Sequence, residues 1–406
     1  SNFLTTTTTT TAMLAGQCTE ILDLLIIGGG LSGLMVAHDY HHRPPATSPT
    51  TTKPSWKLLE ARQVLGGRLA NDDQGRKIDL GGAWIWPHHQ PNLKHLLPQI
   101  LNEEISTFAQ PDDPSSTRID GGAVALIHAL SNDLPSENIQ LNAPVTKCTR
   151  VKLDSESSAS HLIEVETSST RSSQDDDDRD TADHGDSSST SQVYRARQVV
   201  IAVPPKLISK HIHFEPPLST AKQRAMEASH TWMAGVTKVS LVYPTRFWTQ
   251  PTNNSTINTN MGLPTHLGPA FQVYDASTRD GSVAAITFFA LVPPESEAAS
   301  NDKVLAKLVT NQLAQVWAYF EYDKEVVDQL QNTYSEVHIK RWPLETYISE
   351  DPAPRRIHPH PHPVPALAAG EWDGTLLFAG SESDQESPGV MEGAIGAALR
   401  VLQEIP

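Results

Sequence analysis

The stretch that most constrains this chain is "LLIIGGGLSGLMVA" (Leu24 to Ala37). A continuous apolar run, as a buried parallel strand requires, ends in glycines and passes straight into a helical pattern. Gly28, Gly30 and Gly33 form G-x-G-x-x-G. The first glycine allows the tight turn, the second lets backbone approach a pyrophosphate, and the third lets helix and strand pack closely. The helix N-terminus then offers free N–H groups and a positive dipole end to an anion. "WKLLEA" follows as a second strand, and this βαβ unit closes right-handed in a parallel sheet. Glu60 ends the second strand, where a carboxylate can accept both ribose hydroxyls. A glycine turn without ligand is the competing reading.

"LLEARQVLGGRLA" (Leu58 to Ala70) strengthens the cofactor reading. Gly66 and Gly67 bring backbone close a second time, and Arg62 and Arg68 can hold ribose or phosphate by charge-assisted bonds. "IDLGGAWIW" (Ile78 to Trp86) adds the pair Gly81 and Gly82. Repeated glycine pairs fit a long, flat ligand better than a bare nicotinamide dinucleotide.

The chain has 406 residues, too many for one ordinary core, so two domains are expected. Its net charge of −16 argues against nucleic acid and anionic membranes as partners, and reads first as solubility. Two cysteines, Cys18 and Cys148, are too few for a disulfide framework and form no metal pattern. The expectation is a reducing, cytoplasmic setting, with no signal peptide and no membrane span. Residues 1–18 read as a disordered tail, with order expected from near Ile21. The polar, acidic stretch 167–192 reads as a disordered, enlarged hairpin loop between two strands. "HPHPHPVP" (His358 to Pro365) reads as a stiff loop, with metal binding as the alternative. No metal ligand is assigned.

These motifs, with "NAPV", "VVIAVPPKLI", "HFEPPL", "TKVSLVYPTRFW" and "LLFAGSESDQESPGVMEGAIGAAL", occur in an order and approximate spacing that resembles the flavin-containing amine oxidases, the monoamine and polyamine oxidase family. The resemblance implies an α/β (α+β mixed) fold: a Rossmann-like FAD-binding domain of the glutathione-reductase type and a discontinuous substrate domain on a mixed sheet. Residues 19–85, 119–215 and 366–406 are assigned to the first, and 86–118 and 216–365 to the second. It implies that the last strand returns beside the first one. The cofactor set it implies is Gly28, Gly30, Ser32, Gly33, Glu60, Arg62, Gly67, Arg68, Gly81, Gly82, Ala83, Trp84, Val145, Trp342, Gly380, Ser381, Val390 and Met391. Val145 matches the position whose backbone meets adenine. Gly380, Ser381 and the helix beginning near Gly389 match the flavin-ring end.

The family moves hydride from the carbon next to an amine to flavin N5, giving an imine, then a carbonyl, and hydrogen peroxide from oxygen. Lys238 is the catalytic candidate. Alternation in "TKVSLVY" puts it on one strand face with Val236 and Ser240, and the resemblance places it near flavin N5 as an aid to oxygen chemistry. An exposed strand lysine is the plain alternative, as ordinary core is for Trp342. No Ser-His-Asp or Cys-His arrangement stands out.

Three departures qualify the transfer. No cysteine follows Cys148, so the cysteinyl flavin link that many members carry shortly before "FAG" is excluded, and FAD is expected to be noncovalent. Val390 stands where monoamine oxidases place one of two aromatics, and 351–365 offers no partner aromatic except histidine. The segment between "GGAWIW" and "IDGGAV" is short where relatives insert a longer helical part. A flavoprotein oxidase or desaturase of a non-amine substrate, and a non-catalytic flavin-binding interaction protein, are the alternatives. Amino-acid substrates would require a carboxylate-binding arginine, for which Arg246, Arg341, Arg355 and Arg356 are candidates.

Overall fold

A computed structural model describes residues 17–44, 55–72, 75, 77–100, 107–110, 113–153, 161–168, 191–249, 257–350 and 359–406. The threonine run, the acidic stretch 171–190, Arg355 and Arg356 lie outside them.

The first sheet contains β1 (Gln17–Ile27), β2 (Trp56–Leu59), β5 (Ile139–Gln140), β6 (Val145–Lys152), β7 (His161–Thr167), β8 (Gln192–Ile201), β9 (His213–Glu215) and β15 (Leu376–Phe378). Its order is β5-β2-β1-β8-β7-β6-β9. β1 runs parallel to both β2 and β8, and Leu24, Leu25 and Ile26 are fully buried. α1 (Leu31–His42) covers one face and packs against α3 (Val124–Asn132) and α9 (Met391–Glu404). β7 and β8 pair antiparallel, with Thr167 opposite Gln192, so the acidic stretch does connect the strands of a hairpin.

Two local readings change. β1 begins at Gln17, ahead of the expected Ile21. The final strand β15 pairs with β8, not with β1. The edges of β1 are taken by β2 and β8, whereas the last residues of β8 still have a free edge beyond β7. The same three positions, Val199 to Ile201, therefore bond to β1 on one side and β15 on the other.

The second sheet has the order β11-β12-β13-β10-β14. Its strands are β10 (Thr237–Tyr243), β11 (Met261–Gly262), β12 (Ala270–Asp275), β13 (Ala284–Ala290) and β14 (Glu336–Arg341). Val239, Leu241 and Tyr243 of β10 share a core with Leu305, Val309 and Leu313 of α6 (Asp302–Tyr319) and Leu330 of α7 (Lys324–Asn332). Alternation then turns Lys238 and Ser240 to the opposite face. Asn301 caps α6 by accepting from Val304 N–H.

A hairpin, β3 (Thr107–Gln110) and β4 (Asp113–Ile119), follows α2 (Pro91–Ile100). Leu93, Leu96 and Leu97 of α2 pack in the same core as Leu34 and Ile395. This part of the 86–118 segment thus joins the first sheet's helical layer. Buried Glu392 fixes it there, accepting from Asn92 N–H and Leu93 N–H at 2.9 Å each, where a helix N-terminus favours an anion. α4 (Pro205–His211), α5 (Thr220–Ala228) and α8 (Pro365–Ala368) complete the α-helices among the described residues. No helix among them is long and apolar enough to cross a membrane.

Candidate active site

One long cavity runs from Glu60, past the glycine turns, to Lys238 and Val390. Of the expected residues it collects Gly30, Ser32, Glu60, Arg62, Gly67, Arg68, Gly81, Gly82, Ala83, Trp84, Lys238, Trp342, Gly380, Ser381, Val390 and Met391. Gly28 and Gly33 shape the turn from behind: a Cβ on Gly33 would sit 1.9 Å from Gly28 O. Val145 is buried at the start of β6 and does not line the cavity.

At one end, Glu60 accepts Gly29 N–H at 2.7 Å on one oxygen and Arg62 N–H at 2.9 Å on the other. Each oxygen keeps a lone pair for a hydroxyl donor. Arg62 also meets Glu345 at 3.3 Å and Gly67 O at 2.9 Å, tying the first glycine turn to the second. Gly30 and Gly67 press together so closely that a Cβ on Gly67 would lie 3.1 Å from Gly30 Cα. Ser32 donates to Ala379 O, joining the first turn of α1 to the end of β15.

In the middle, Arg68 bonds to Ser381 Oγ at 2.6 Å and stands 2.8 Å from Glu382 Oε1. Glu382 is buried, and its Oε1 accepts no well-aligned hydrogen bond. An acceptor of this kind suits a polyol chain. Family reasoning on the "GSE" turn could have found Glu382; it was missed because only its glycine and serine were considered.

At the far end, Lys238 is buried at 1% exposure, which removes the exposed-lysine alternative. Nζ donates to Asp79 O at 2.8 Å and Gly81 O at 2.7 Å. Its ammonium lies 5.1 Å from the Phe289 ring and 5.4 Å from the Tyr274 ring. Burial lowers its pKa to about 7, against the opposing pull of Asp79. Burial in turn raises the Asp79 carboxyl, which Lys238 and the Ala123 N–H counteract. Trp342 donates to Leu80 O at 2.8 Å, so two segments of the second sheet grip the "DLGG" turn.

Beyond the expected Trp84 and Trp342, further aromatic side chains reach this cavity, Trp86 from "IDLGGAWIW" and the others from segments the sequence did not single out. Trp232 lines it with Met233, Ala234 and Val236, and Phe289 and Trp86 join them. His360 stacks 5.0 Å from Trp232, and Pro361 presses on Gly389, where a Cβ would meet it at 2.7 Å. His360 and Pro361 thus pack beside two residues of this end, Trp232 and Gly389. Arg246 pairs with Asp275 and Arg341 with Asp302, and neither lines the cavity. Cys148 is fully buried in the first sheet's core, where burial pushes its thiol pKa up.

A model of the flavin containing amine oxidoreductase family matches residues 103–406, and an NAD(P)-binding Rossmann-like domain matches 26–100. The chain belongs to the flavin containing amine oxidoreductase family. It is 28% identical over 218 residues to "Amine oxidase [flavin-containing] B" of Cavia porcellus, and equally to "Amine oxidase [flavin-containing]" of Danio rerio. Those matches cover 53% of this chain and 38% of each relative, so the chain spans about two fifths of their length. Its fold is similar to cyclohexylamine oxidase from Brevibacterium oxydans, with a TM-score of 0.67, 16% identity, and 95% and 99% of the two chains covered. Putrescine oxidase bound to putrescine aligns with a TM-score of 0.62 at 16% identity, covering 95% and 99%. Flavin is the cofactor that the family's description names.

Proposed function

We propose that this protein is an amine oxidase with noncovalently bound FAD. The observation that carries the reading is the single cavity that joins Glu60 at one end to buried Lys238 at the other. The residues present fit the cofactor: the Gly30–Gly67 contact leaves backbone bare along its path, Glu60 keeps lone pairs for hydroxyls, and Glu382 Oε1, ion-paired with Arg68, accepts no well-aligned hydrogen bond. Glu60 would hold the ribose of the adenosine half, and the N-terminus of α1 the diphosphate. Arg68, Ser381 and Glu382 would hold the ribityl chain, and the α9 N-terminus at Val390 and Met391 the flavin ring. When bound, the flavin supplies the acceptor for hydride from the carbon next to an amine, with oxygen as final acceptor.

The chain's own part is binding, orientation and proton control. Trp232, Met233, Val236 and Phe289 present an apolar wall that desolvates an amine and favours its neutral form. Lys238 Nζ, held by two carbonyls and with a pKa about 7, can hold or release a proton at neutral pH. Fully buried Cys148 cannot carry a flavin link without unpacking the core, which supports noncovalent binding. Acid precipitation of the purified yellow protein should release all flavin as FAD; a colourless protein that takes up no FAD, or flavin left in the pellet, contradicts the assignment.

A further inference from the structure

The cavity leaves unexplained a cluster at the other end of α1. His38 and His42 stand one helical turn apart on the same face, with ring centroids 4.5 Å apart. Asp133, the C-cap residue of α3, places Oδ2 3.2 Å from His38 Nε2 and 3.2 Å from His42 Nε2. On their outer sides both rings face acceptors again: His42 Nδ1 is 2.9 Å from His38 O, and His38 Nδ1 is 3.5 Å from Asp39 Oδ1. A neutral imidazole has one N–H and one lone pair. In the tautomer whose N–H points to the outer acceptor, each Nε2 presents a lone pair toward the same carboxylate oxygen; without an ion, an Nε2–H can donate to that oxygen instead.

His38, His42 and Asp133 each bring one ligand atom to a common point, where a cation can take the place of the protons that otherwise bridge them. The distances suit this. Ligand atoms about 2.0–2.1 Å from a tetrahedral ion are about 3.3 Å apart. The Nδ1 contacts to a carbonyl and a carboxylate are the kind that orient metal-bound histidines. We propose that His38, His42 and Asp133 form a binding site for a divalent transition-metal cation of the zinc class, with a fourth position open to water. Two imidazoles and one carboxylate favour zinc, copper or nickel over magnesium or calcium. Partial exposure of all three side chains gives the ion access from solvent.

The site would tie α1, whose first turn meets the cavity at Leu31 and Ser32, to the end of α3. Neighbouring His41 is engaged elsewhere, accepting from Trp56 Nε1 at 3.3 Å. The His–Pro stretch takes no part.

The test is calorimetric titration of the chelator-treated, flavin-loaded full chain with Zn²⁺ alone, with Mg²⁺ for comparison. The expected result is one saturable Zn²⁺ site, no Mg²⁺ site, and affinity lower by at least about 10- to 100-fold in His42→Ala and in Asp133→Asn. Both variants should keep wild-type flavin content and wild-type melting temperature in chelator. A His360→Ala, His362→Ala double variant should keep the site, which separates it from zinc held by the His–Pro stretch. A wild type without a saturable Zn²⁺ site overturns the proposal. So does unchanged affinity in both His42→Ala and Asp133→Asn.

Discussion

Lys238 donates to the carbonyl of Gly81 at 2.7 Å, and that bond joins the second sheet to the glycine turn at the centre of the cavity. The ammonium is held by backbone oxygens, and the lowering of its pKa by burial outweighs the opposing pull of the Asp79 carboxylate. The protonated share of Nζ therefore falls as pH rises through about 7. We predict that flavin reoxidation by oxygen slows across that pH range in the wild type. In Lys238→Met it should be slow at every pH, while anaerobic reduction by substrate changes less. Stopped-flow traces of both half-reactions check this, and unchanged oxygen reactivity in the variant would remove the role of Lys238.

Glu60 anchors Gly29 N–H and Arg62 N–H while keeping lone pairs for a ligand. Hydrogen bonds to charged groups are worth about 1.5–3 kcal/mol each. Glu60→Gln should weaken FAD binding by about that amount, roughly 10- to 100-fold. Titration of apoprotein with FAD, followed by fluorescence quenching, measures it.

Gly33 and Gly75 should respond very differently to alanine. A methyl on Gly33 would strike Gly28 O at 1.9 Å, a backbone atom that cannot move without shifting β1. Overpacking of this kind costs about 1–3 kcal/mol or more. Gly75, with φ +73°, has nothing within 4 Å of a Cβ and should lose only about 1–2 kcal/mol from its left-handed backbone. Melting temperature and flavin content of the two variants should separate them, with only Gly33→Ala losing flavin.

Lys222 gives a stability prediction away from the site. It is buried, donates to Leu367 O and Ala369 O, and burial lowers its pKa to about 7. Between pH 7 and the ordinary lysine value of 10.5 the unfolded chain binds more protons than the folded one, so stability rises with pH in that window. Lys222→Met should reduce that rise. Melting curves at pH 7 and pH 9 test it, and an identical pH response in both proteins would contradict the assignment.

How much was legible in the sequence depends on whether the cause was local. The glycine turns, Glu60 and the placement of Lys238 on its strand face follow from short-range sterics and strand alternation, and these features are present as read. The lateral position of β15 was not legible. It depends on which edge of β8 stays free, and nothing in "LLF" records that. Trp232 was missed for a similar reason. Its segment packs at long range against His360 and Gly389, and its sequence has no period or motif. The packing of α2 on the first sheet's core rests on Glu392, which lies 300 positions further along the chain.

The central claim is that an amine delivers its electrons within this cavity, and anaerobic mixing of the purified yellow protein with a panel of primary and secondary amines tests it most directly. The account predicts that at least one amine bleaches the flavin absorbance and that oxygen restores it with release of hydrogen peroxide. If no amine reduces the flavin while an alcohol or an alkene-forming substrate does, the account is contradicted.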